Sequence, residues 1–165
     1  MDEVVTKKLL VEFPTGKDFL IEASDGKKKF SNSEIFNIYL DQDFRSPKLD
    51  KFGPASNEIV LDFYELKSDG NFKEIFNSFG KDLKDICLTQ SQMIDFCRKY
   101  RREPIFQGYT LFFLLEEKSE LEKKNEYFVV FINFFANGIS AVVSSLQSNH
   151  LWKPKDPRLV VIPRF

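Results

Sequence analysis

The stretch Tyr127–Gln147, YFVVFINFFANGISAVVSSLQ, decides how this chain folds. From Tyr127 to Asn149 there are 23 residues without a charged side chain. A membrane-spanning helix needs about 20 mostly apolar residues, so length alone would allow one. The interior of the run argues against it. Asn133, Asn137, Gly138, Ser140, Ser144, Ser145 and Gln147 interrupt it. Asn137-Gly138, flanked by β-branched and aromatic residues, is a strong local signal for a hairpin. A two-residue Asn137-Gly138 loop pairs Phe134 with Ala141, Ile132 with Val143 and Val130 with Ser145 on a mostly apolar face. Asn133–Val142 and Phe135–Ser140 then share a wetter one. One dry face and one damp face predict an antiparallel sheet with helices on the dry side.

Outward from this hairpin the signals continue. Leu159–Ile162 reads as a last strand, at an edge where Pro163 is tolerated. Upstream, Tyr109–Glu116 reads as a strand, and the charged segment Glu117–Lys124 as an exposed turn. Thr89 and Gln92 form a capping box ahead of Met93, Phe96, Cys97 and Tyr100, which repeat at helical spacing up to Pro104. Phe72, Ile75, Phe76 and Phe79 mark a shorter helix stopped by Gly80, and Glu58–Lys67 alternates as a strand. The predicted fold is α+β. Residues 58–165 form the core domain, in the order β-α-α-β-β-β-β: an antiparallel sheet of four to five strands with two helices packed on one face. Residues 45–57, RSPKLDKFGPASN, read as a linker. Residues 1–44 read as a small ββ(β)α unit. Its strands lie near Val4–Phe13 and Phe19–Ala23, with Lys27–Phe30 as an optional third. Its helix runs from a capping box at Ser31 and Glu34 to about Asp41.

At 165 residues the chain suits one ordinary domain, or one with a small appendage. The 24 basic residues balance the 25 acidic ones, which argues against a nucleic-acid coat. Two cysteines without a CxxC argue for reduced thiols and a cytosolic setting. The Met1–Val5 start lacks a basic and apolar leader, and the end is no lipidation box. Phenylalanine is over-represented, at 19 against five Tyr and one Trp, so any surplus beyond the core would mark a contact surface.

The run Gly80-Lys81-Asp82-Leu83, then Leu88-Thr89-Gln90-Ser91-Gln92 with Phe96, then Gly108–Leu114, and finally Trp152 and Val160-Val161-Ile162-Pro163, is similar to a pattern in small uncharacterised proteins of candidate-phyla (Patescibacteria-like) bacteria. The resemblance covers roughly residues 58–165. It implies a bacterial cytoplasmic protein and no known activity.

Catalytic chemistry has little to work with. His150 is the sole histidine, and no GxSxG elbow exists. Asp41 and Asp43 are followed by no calcium loop, and Thr15-Gly16-Lys17-Asp18 lacks the residues of a phosphate loop. Glu116-Glu117 reads as solvated surface, and Cys97 as an inert buried thiol. No catalytic, cofactor-binding or metal-binding residues are expected. The candidate interaction residues are Arg98, Lys99, Tyr100, Arg101 and Arg102, a cationic helix end where Tyr100 could stack, together with His150 and Trp152. Trp152 either plugs the sheet end or serves as an exposed anchor. The leading expectation is a non-enzymatic interaction or accessory module whose partner is another protein or a second copy. Weak nucleic-acid or anionic-ligand binding through Arg98–Arg102 is the alternative. A small-ligand or catalytic site at the His150–Trp152 corner comes second to that. No membrane association is expected.

Overall fold

Leu111-Phe112-Phe113-Leu114-Leu115 is an unbroken apolar run, the mark of a strand covered on both faces, and all five side chains are buried. They belong to β5 (Thr110–Ser119). In the computed structural model, which describes residues 8–119 and 124–165, β5 lies inside an eight-stranded mixed sheet. The other strands are β1 (Leu10–Glu12), β2 (Phe19–Ile21), β3 (Tyr39–Leu40), β4 (Ile59–Leu66), β6 (Lys124–Phe135), β7 (Gly138–Ser145) and β8 (Arg158–Pro163). Their order is β1-β4-β8-β5-β6-β7-β3, with β2 also on β4. The β5–β8 and β3–β7 pairs are parallel and the rest antiparallel.

This corrects the predicted sheet of four to five antiparallel strands with both helices on one face. The helices α1 (Phe72–Asn77) and α2 (Gln90–Tyr100) pack on opposite faces. Phe96 and Cys97 of α2 join Leu111, Phe113 and Leu115 in one core. Phe72, Ile75 and Phe76 of α1 join Phe112 and Leu114 in the other. The reason is visible in β5 and β8: two strands without alternation need cover on both sides. Leu159–Ile162 are buried throughout, so β8 is an inner strand between β4 and β5, and not at an edge. Pro163 sits at its last position, opposite Leu61, where a missing N–H interrupts no ladder.

The hairpin forms with its register moved by two residues. Phe135 opposes Gly138, Ile132 opposes Ala141 and Val130 opposes Val143, so Ala136-Asn137 is the loop. A shift of two keeps every side chain on its predicted face. Among the described residues no helix is long and apolar enough to cross a membrane.

The segments before residue 58 add strands to both edges of the sheet. β1 and β2 line the outer side of β4, on either side of the loop containing Pro14 and Gly16. The part of the predicted first strand before Lys8 lies outside the described residues. The helix predicted from Ser31 to Asp41 does not form. Only a 3-10 turn, Phe30–Asn32, is present there, and the Ser31 hydroxyl donates to Asp50. The Ile38 N–H donates to the Ile139 carbonyl at 3.1 Å and the Asp41 N–H to the Ala141 carbonyl at 2.9 Å. Asn32, Ser33, Asn37, Ile38 and Tyr39 are weak helix formers, whereas the edge of β7 offers backbone partners that would otherwise stay open. Phe30 is stacked between Phe36 and Phe44, with centroids 4.5 and 4.4 Å away, and anchors this segment.

The capping box predicted at Thr89 and Gln92 forms, and α1 carries one that the sequence reading did not name. Thr89 and Gln92 cap α2 as the spacing requires, and Asn71 with Glu74 caps α1. Between the helices the chain passes from one face of the sheet to the other. It does so where β5 and β8 part: their pairing ends at Phe113–Val161. The Leu88 N–H then donates to the next free β5 carbonyl, that of Leu114, at 2.9 Å.

Candidate functional site

The cationic end of α2 splits into inward and outward groups, as a helical period requires. Tyr100 turns inward and is buried. Its hydroxyl accepts from the Leu20 N–H at 2.9 Å and donates to the Leu20 carbonyl at 2.8 Å. Tyr100 is therefore a brace between α2 and β2, with no free face for stacking. The Lys99 ammonium lies 3.3 Å from the same Leu20 carbonyl. Arg98 is exposed on the outer side.

Arg101 and Arg102 lie elsewhere, against the tip of the β6–β7 hairpin. They line a cavity of about 400 Å³ together with Glu34, Asn37, Phe135 and Gly138. Among the described residues neither guanidinium forms an ion pair. Phe135 keeps 50% of its surface exposed, Tyr39 52% and Ile38 41%. The register places Tyr39 beside Ser140, and Ser140 opposite Asn133, so Tyr39, Ser140, Asn133 and Phe135 share one face. This is the damp face of the hairpin, at the end away from α1. A half-exposed Phe135 beside Arg101 and Arg102 has the composition of an interface centre. The sequence reading had the arginines but not their neighbours, because β3 was hidden under a false helix signal.

His150 and Trp152 stay together, with ring centroids 4.4 Å apart, but only His150 is exposed. Trp152 packs against Phe72, Phe112 and Phe131 at 5.2 to 5.5 Å and lies 4.6 Å from the Arg158 guanidinium. Its backbone pairs with Gly70 through two hydrogen bonds of 2.9 and 3.0 Å. This closes the α1-side core, so Trp152 fills the plug role.

A second cavity, of about 480 Å³, opens at the far end of β5 and was not foreseen from sequence. It holds Glu117, whose side chain is only 13% exposed and pairs with Lys51 at 3.5 Å. Burial pushes the Glu117 carboxyl above its ordinary range, while Lys51 and the Gln90 carboxamide draw it back. The expected solvated turn at Glu117 is thus a half-buried strand position. Parity carried the signal: residues 111, 113, 115 and 117 share a strand face. Cys87 also lines this cavity, with its thiol pushed up by burial. Cys97 is fully buried in the α2-side core, and burial pushes its thiol up as well. Among the described residues no cluster of three or more metal-ligating side chains occurs. Compared with family models, curated proteins and solved structures, the chain matches none.

Proposed function

We propose that this chain is a non-enzymatic protein-interaction module, an accessory protein of a bacterial cytoplasm, that receives an acidic protein surface at its hairpin end. The observation that carries this reading is the pairing of Arg101 and Arg102 with the half-exposed Phe135 around one cavity. Arginine and aromatic side chains dominate the energetics of protein interfaces. In the lining of that cavity the two guanidinium groups face one carboxylate, Glu34, and such a field favours acidic partners. The same cations support the alternative of weak nucleic-acid binding, which would show a steep salt dependence.

The test is a pull-down of the full chain from native lysate, with and without nuclease, at low and high salt. It compares the wild type with an Arg101→Glu/Arg102→Glu variant and with Phe135→Asp. A stoichiometric protein partner, or a second copy of the chain, that survives nuclease and is lost from both variants is the expected result. Recovery of nucleic acid alone, only at low salt, would overturn the reading. So would a partner held equally by all three proteins.

A further inference from the structure

The cavity at the end of β5 lies where the fold changes direction. β5 and β8 run parallel, their pairing stops at Phe113–Val161, and the segment leading to Leu88 crosses there between the two faces of the sheet. Leu115 and Glu117, at the carboxyl end of β5, line this cavity. Its volume of about 480 Å³ falls within the span of small-molecule sites.

The lining defines the chemistry. Leu88 and Leu115 give an apolar floor, each 2% exposed. Phe52 forms a wall, with 52% of its surface open and the Lys29 ammonium 5.0 Å from its ring centre. Lys51, Lys84 and Lys118 supply three cations against two carboxylates. Glu117 pairs with Lys51, which leaves Lys84 and Lys118 against Glu116. The mouth is therefore cationic over an apolar floor.

We propose that this cavity binds a small amphipathic anion: a ring-sized apolar body lying on Leu88, Leu115 and Phe52, and one acidic group facing Lys84 and Lys118. The site is separate from the hairpin end and does not depend on partner binding there.

The experiment titrates the full chain with 8-anilinonaphthalene-1-sulfonate, an aromatic anion, and with the neutral N-phenyl-1-naphthylamine, reading fluorescence. The expected result is saturable binding of the anion. Phe52→Ala should weaken it roughly five- to tenfold, the loss of one aromatic contact. Lys84→Gln/Lys118→Gln should weaken the sulfonate but not the neutral compound. All three side chains lie at exposed positions, and unchanged circular dichroism would establish that the variants are folded. Fluorescence that does not saturate, or that is indifferent to both variants, would overturn the proposal.

Discussion

The Asn37 carboxamide sits directly over Gly138. Its Nδ2 donates to the Asn137 carbonyl at 2.9 Å and its Oδ1 accepts from the Ile139 N–H at 3.2 Å. A Cβ on Gly138 would collide with that carboxamide. The hairpin turn and the strand that borders the candidate surface are therefore built as one unit.

This contact gives a double-mutant cycle. Gly138→Ala alone should destabilise the fold by about 1–3 kcal/mol through overpacking. Asn37→Ala alone should cost about 1 kcal/mol for the lost hydrogen bonds. Combined, the two should cost at least about 1 kcal/mol less than their sum, because the obstacle is the Asn37 side chain itself. Denaturant unfolding of the four proteins checks this, and simple additivity would contradict it.

Tyr100→Phe separates structure from binding at the end of α2. Removing the hydroxyl leaves the Leu20 N–H without its acceptor and the Leu20 carbonyl with the Lys99 ammonium alone. A loss of about 1–3 kcal/mol in unfolding free energy is expected, with partner recovery unchanged. Arg101→Gln/Arg102→Gln should do the reverse, holding stability within about 0.5 kcal/mol while reducing recovery.

Trp152 offers a similar contrast. As a plug among Phe72, Phe112 and Phe131, it should cost about 3–5 kcal/mol on truncation to Ala. Its indole N–H has no hydrogen-bond partner among the described residues. Trp152→Phe should therefore cost only the volume difference, about 1–2 kcal/mol, and leave partner recovery intact. Thermal and denaturant melts of both variants read this directly.

Glu117 should make stability depend on pH. Its carboxyl titrates above the ordinary value of 4.5 in the folded chain, chiefly because of burial. The folded state then holds a proton that the unfolded state has released. Stability from this group is complete below the unfolded value and falls as pH rises through the folded one. Glu117→Gln should flatten that part of the profile. Urea melts across the interval just above pH 4.5 measure it, and an unchanged slope in the variant would contradict the account.

How much of this was legible in the residues varies with the kind of signal. The capping box at Thr89 and the hairpin around Asn137 rest on local chemistry, and both elements are present. The Ser31–Glu34 capping box was equally plain in sequence, yet Asn37 and Tyr39 pair with β7 instead. An edge strand waiting for partners is a tertiary fact that no local window contains. Pro163 at the end of β8 reads as an edge signal, but the four apolar residues before it do not alternate, which marks an inner strand with helices on both faces. At the candidate surface, Arg101 and Arg102 are legible from charge, but Phe135 reaches their cavity through the hairpin register and Asn37 through its hydrogen bonds to the hairpin turn. Glu117 was passed over because charge was weighed above strand parity.

Hydrogen exchange of the chain, free and bound to its recovered partner, tests the central claim most directly. The account expects added protection in residues 37–40, 98–102 and 135–140, with the Phe79–Phe165 side of the sheet unchanged. Protection centred on that opposite side, or on the loop around Trp152, would contradict it.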